Sequence, residues 1–152
     1  MYDRTKVYFP IQSKSPHGIT GEWLWAKCLK DGRYLIDNSP FDVYGISNND
    51  IVLAREIEGV LTFESVSHRG GHSTYRIRLP IYSSYEGFLT IWPLFKKLNC
   101  TFEGTTENQG LYSIDVPPQT DVSAVYKLLE KGEKEGKFEF EEAHYCNLKD
   151  RN

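Results

Sequence analysis

No apolar run in this 152-residue chain approaches the roughly 20 residues that a membrane-spanning helix needs, so a membrane is not an expected partner. Cysteine is scarce. Cys28, Cys100 and Cys146 are odd in number, far apart and without a Cys-x-x-Cys pair, which argues against a zinc or dithiol motif and reads as reduced thiols in a cytoplasmic protein. Charge of one sign is lacking too: 18 Lys+Arg against 21 Asp+Glu gives −3, so the summed field offers no long-range attraction to nucleic acid, an unexpected partner on these grounds. No glycine-rich loop leads into a helix with Lys-Ser or Lys-Thr, which excludes a nucleotide-binding P-loop. Met1 to Pro10 carries Asp3, Arg4 and Lys6 and no apolar stretch, so it does not read as a secretory signal. Repeats and low-complexity tracts are also missing.

What is present is a change of hydrophobic period. Up to about residue 70, short runs rich in β-branched and aromatic residues, Val7–Ile11, Trp23–Leu29, Arg33–Ile36, Ile51–Ile57 and Leu61–Ser67, alternate with Gly, Asn, Asp and Pro clusters. That spacing predicts a small β-barrel-like sheet, with Lys30-Asp31-Gly32 as a hairpin turn and Asn48-Asn49-Asp50 as a second turn. From Thr74 to Glu141 the order becomes strand, helix, strand, strand, helix, strand, which predicts a ferredoxin-like split βαββαβ module. Its helices are expected at Tyr85–Leu98, interrupted by Pro93, and from a cap at Thr120 or Asp121 to Gly132 or Gly136; its last strand is expected at Lys137–Glu141.

The expected fold is thus α+β, with a β-rich half over 1–70, a ferredoxin-like half over 71–146 and a polar tail over 147–152, the halves either separate or fused. Strand parity sends Tyr75, Ile77 and Leu79 to one face and Thr74, Arg76 and Arg78 to the other, while Tyr112, Ile114 and Val116 share a face. Those rings read as core, against the aromatic base platform of an RNA-recognition module. Arg76 and Arg78 are expected beside Ser113, Asp115, Glu139 and Glu141, as a ladder of opposite charges on an open face that is solvated, packs on the first half or meets a partner.

Candidate chemistry is thin. His68-Arg69-Gly70-Gly71-His72-Ser73-Thr74-Tyr75-Arg76 combines imidazoles, guanidiniums and a Gly-Gly, a composition able to hold an anion or to make a polar hairpin loop. His144 and Cys146, with His68 and His72, lack zinc-site spacing, so neither a metal nor another cofactor is expected. His72 and Ser73 are strand neighbours that point apart, which disqualifies them as base and nucleophile, and no catalytic residue is assigned. Glu130 to Glu142 carries six acids against three lysines, a composition that reads as a solvated face or as a surface that docks on a basic protein.

Glu22-Trp23-Leu24-Trp25-Ala26, Asp37-Asn38-Ser39-Pro40-Phe41, Gly45-Ile46-Ser47 with Asp50-Ile51-Val52, Gly71-His72-Ser73-Thr74 with Arg76, and Asp115-Val116-Pro117-Pro118 together resemble the bacterial family called domain of unknown function 4265. The resemblance spans about Trp23 to Tyr145 and implies a bacterial context but no reaction. Within it, Gly45 is expected at positive φ, Trp23 or Trp25 as a core anchor, and Gly71–Arg76 as the first candidate for a functional surface.

The functional expectation is a non-enzymatic protein whose partner is another protein, most concretely an immunity protein that neutralises a basic bacterial toxin domain through Glu133, Glu139, Glu141 and Glu142, with Asp115 beside them. The alternative is a nucleic-acid or small-anion module using Arg69, His72, Arg76 and Arg78. An enzyme with a site around His68, His72 and Glu64, in a groove between the halves, is a third reading.

Overall fold

The structure, a computed structural model, describes residues 3–11, 20–81 and 83–146. The polar tail expected over 147–152 lies outside the described residues. Eleven elements follow in chain order: β1 (Arg4–Pro10), β2 (Gly21–Cys28), β3 (Arg33–Ile36), β4 (Ile51–Ile57), β5 (Val60–His68), β6 (Ser73–Arg78), α1 (Tyr85–Lys96), β7 (Thr101–Gly104), β8 (Leu111–Val116), α2 (Val122–Lys134) and β9 (Glu139–His144).

Strands β1 to β5 pair in sequence order, and Tyr8 of β1 meets Thr62 of β5 in parallel, so the sheet closes on itself. Alternation fills the ring: Val7 and Phe9 from β1, Leu24 and Ala26 from β2, Ile36 from β3 and Val52 from β4 are all buried inside. That parity corrects the expectation for the tryptophans. Leu24 and Ala26 take the inner face, so Trp23 and Trp25 stand outside, 49% and 37% exposed. The Lys30–Arg33 turn has Asp31 at φ 61° and Gly32 at φ 72°, the two positive values that a tight hairpin of this twist requires.

The second sheet has the order β7-β8-β6-β9, with two central strands buried along nearly their whole length. One face is covered by α1 and α2. Tyr75, Ile77, Tyr112, Ile114 and Val116 pack there against Phe88, Trp92, Phe95, Val125 and Leu129, as parity predicts. Ser84 caps α1 by accepting from the Gly87 N–H, and Asp121 caps α2 by accepting from the Ser123 N–H. Pro93 stays within α1. The final strand starts two residues later than expected: Gly136, at φ 75°, ends α2, the Lys137 N–H bonds back to Gly132 O, and Phe138 is buried below the helices before β9 begins. Both sheets, five-stranded and four-stranded, and the two helices make a mixed α+β chain.

Candidate functional site

The other face of the second sheet carries Thr74 and Arg76 from β6 and Ser113 and Asp115 from β8, and each of these is at most 4% exposed. What covers them is the connection between β3 and β4, residues 37–50, which leaves the ring, crosses the sheet and returns. It crosses through polar contacts. Ser39 Oγ donates to Ser113 Oγ at 2.6 Å, and Ser113 Oγ donates to Pro40 O at 2.6 Å. Ser47 Oγ lies 2.5 Å from Thr74 Oγ1 and 2.8 Å from His144 Nδ1. The Gly45 N–H donates to Ala143 O of β9 at 2.9 Å.

Arg76 is the centre of the joint. Its Nη1 donates to Pro40 O at 3.3 Å and Val43 O at 2.9 Å, its Nη2 to Asp42 O at 3.4 Å, and its Nε to Glu141 Oε2 at 2.8 Å. Its guanidinium also lies over the Tyr44 ring, 4.7 Å from the centroid, while the Tyr44 hydroxyl donates to Glu141. Arg69 plays a similar part from the end of β5, donating to Gly45 O at 2.6 Å and to the buried Asp50 carboxylate at 3.0 Å. Asp50 also accepts the N–H groups of Ser47 and Gly70.

His72 Nδ1 stands 2.7 Å from Asp115 Oδ2, and its Nε2 stands 3.1 Å from Asn49 Nδ2. With the Asn49 amide donating, Nε2 accepts and the ring proton sits on Nδ1, facing the carboxylate. Burial pushes the Asp115 carboxyl above its ordinary range, more than the His72 contact draws it down. Cys100 nearby is held as a thiol, its pKa pushed up to about 12 by burial first and by Asp115 second. Two carboxylates sequence reasoning gave no role complete the clamp. Glu22 accepts the N–H groups of Phe41, Asp42 and Val43 at 2.8, 3.0 and 3.0 Å, and Glu103 accepts the Ser39 N–H at 2.5 Å and Asn38 Nδ2 at 2.8 Å. Burial pushes both upward, the backbone donors offsetting part of it.

The candidate residues therefore separate. Asp115, His72 and Arg76 lie inside the joint, and Arg69 is part-buried at its margin; an anion there would have to displace carbonyls and carboxylates already bound. The expected charge ladder is covered, and register puts Arg78 across from Leu111 and Glu139; Arg78 is exposed and bonds Asn108. Glu133, Glu139, Glu141 and Glu142 are exposed, yet Glu133 accepts the Phe140 N–H, Glu141 holds Arg76 and Glu142 holds the Tyr75 hydroxyl. His68 is exposed beside Ser67, and Glu64 pairs with Arg55 on the surface, so neither joins His72. Among the described residues, no three His, Cys, Asp or Glu side chains gather to hold a metal. A cleft of about 570 Å³ opens elsewhere, between α1 and α2, with Phe95, Leu128 and Phe138 in its lining.

Residues 22–140 match the model of the family described as Domain of unknown function (DUF4265). The chain belongs to that family. A solved structure, "Novel crystal structure of a hypothetical protein from Neisseria gonorrhoeae", aligns with this DUF4265 chain over 97% of each at a TM-score of 0.75 and 20% identity, a likeness of fold. No curated protein matches it. The segments that carry the resemblance to DUF4265 converge in space: Glu22, Asn38-Ser39-Pro40, Gly45, Ser47, Asp50, His72, Thr74, Arg76 and Asp115 are all partners in the joint.

Gly71–Arg76, the first candidate for a functional surface, is buried along its whole length. Gly70, just ahead of it, lies against the Asn49 backbone, and a Cβ there would overlap the Asn49 carbonyl. Gly70→Ala is expected to lower stability by roughly 1–3 kcal/mol, read from the urea midpoint. An unchanged midpoint would mean that the joint yields.

Proposed function

We propose that this protein is a non-enzymatic binder of a basic protein, and that its acidic margin, β9 with the end of α2, makes the contact. The supporting observation is the exposure of Glu139, Glu141 and Glu142 along one edge strand with Glu133 beside them. Edge strands invite pairing with a foreign strand, but here the Phe140 N–H is taken by Glu133 and Ala143 O by Gly45, so a partner meets carboxylates more readily than open backbone. Carboxylates at a margin speed encounter with a cationic surface.

The most concrete form is an immunity protein that sits in the cytoplasm and neutralises a basic toxin domain, its barrel-like and ferredoxin-like halves locked into one rigid support. Mixing the purified chain with a basic toxin domain, sought among the products of neighbouring genes, is expected to give a complex and loss of toxin activity. Glu139→Lys with Glu142→Lys is expected to slow association on the order of tenfold at low salt. A toxin that retains full activity and shows no complex would end this reading.

A further inference from the structure

The outer face of β1 and β2 is unlike any other surface of the ring. Parity places Arg4, Lys6 and Tyr8 of β1 outside, opposite Lys27, Trp25 and Trp23 of β2, so three rungs about 7 Å apart run from a cation pair to an aromatic pair. Arg4 Cζ lies 4.3 Å and Lys6 Nζ 4.7 Å from the Trp25 ring centroid, and the Tyr8 and Trp23 rings meet at 5.1 Å. Glu22 is turned away to cap residues 41–43, and Asp37 lies 3.9 Å from Arg4 at the end of the patch.

The patch is also shaped by the backbone. Gly21 lies directly under the Tyr8 ring, where any Cβ would overlap it, so the ring lies flat across the strand next to Trp23. Exposed indoles are large apolar groups that a solvated sheet face has no folding reason to display.

We propose that this face binds single-stranded nucleic acid, with bases stacked on Trp23, Tyr8 and Trp25 and phosphates held by Arg4, Lys6 and Lys27. Flat rings interleaved with cations suit a base-and-phosphate polymer, in which every unit offers a π-face and a negative charge. An acidic polypeptide would use the cations and leave the rings idle. The net charge of −3 does not oppose this, because screening confines the interaction to the few charges within a Debye length of the strand. The proposal goes beyond the acidic margin of β9 and does not depend on it.

Titration of the full chain with a short oligothymidylate and with the matching oligouridylate, followed by tryptophan fluorescence, tests it. Trp92, in the core, supplies a constant background. Quenching is expected, with affinity falling roughly tenfold or more between about 50 and 200 mM salt. Trp23→Ala and Trp25→Ala, at positions 49% and 37% exposed, are each expected to weaken binding on the order of tenfold with the urea midpoint read alongside, and Lys6→Gln to reduce the salt slope by about one. A difference between the two oligonucleotides would tell DNA from RNA, and either preference supports the site. No quenching at low salt, an equal response to polyglutamate or to duplex DNA, or binding indifferent to both tryptophans would each overturn it.

Discussion

Replacing Arg76 with alanine is expected to destabilise the protein by about 3–5 kcal/mol, a large share of the stability of a domain this size. The guanidinium is 2% exposed and answers three carbonyls, Pro40, Asp42 and Val43, that lie where water cannot replace it. Glu141 contributes less than its 2.8 Å contact suggests, because its side chain is 45% exposed and becomes hydrated when its partner goes. Glu141→Gln is therefore expected to change stability by about 1 kcal/mol or less. Arg76→Lys is expected to rescue only part, since one ammonium cannot reach carbonyls and carboxylate in the directions a planar fork does. Urea unfolding with near-ultraviolet circular dichroism measures all three. A loss below about 1 kcal/mol for Arg76→Ala would show that the 37–50 connection is held by something other than this side chain.

The dependence on Arg76 also explains what could be read from the chain. Parity along Thr74–Leu79 and Leu111–Val116 identified the buried rings because a period of two is local, needing no knowledge of the rest of the fold. The same parity applied to Glu22–Lys27 gives two opposite solutions, and a preference for burying large rings selects the wrong one. In the structure, smaller Leu24 and Ala26 fit the narrow interior of a five-stranded ring, and both indoles stand outside.

The joint itself was not legible in periodicity. Ser39 reaches Ser113 across 74 positions of sequence and Arg76 reaches Val43 across 33, through a segment with no regular pattern. Its one local signal was a surplus of Asn, Ser, Asp and Gly over residues 37–50, which marks a loop without saying what it covers. The family resemblance singled out these same residues. Their shared purpose emerges only when both sheets are in place: they are the polar layer that lets one sheet rest on the other.

That layer carries carboxyl groups whose titration should be felt by the whole fold. Glu22, Glu103 and Asp115 are all displaced upward, with burial the largest cause in each. A carboxyl whose folded-state pKa exceeds its unfolded value binds its proton more tightly in the folded chain. Stability is therefore expected to fall as pH rises from the ordinary carboxylate range through the raised values, and to level off above them. One carboxyl caught between its two values contributes a slope of up to about 1.4 kcal/mol per pH unit. Asp115 can be separated from the others. Its Oδ2 faces His72 Nδ1, whereas its Oδ1 is buried and accepts no hydrogen bond from the described residues. Asp115→Asn keeps an oxygen for the His72 proton, turns the amide NH₂ to the idle side and removes the buried charge. Its stability at neutral pH is expected within about 1 kcal/mol of the parent, or above it, with a shallower dependence on pH. Urea midpoints taken from pH 4 to pH 8, about the span over which raised carboxyls titrate, measure both slopes. Midpoints that climb with pH, or an Asp115→Asn profile as steep as the parent's, would mean that the His72 contact outweighs burial and that Asp115 supports the joint as an anion.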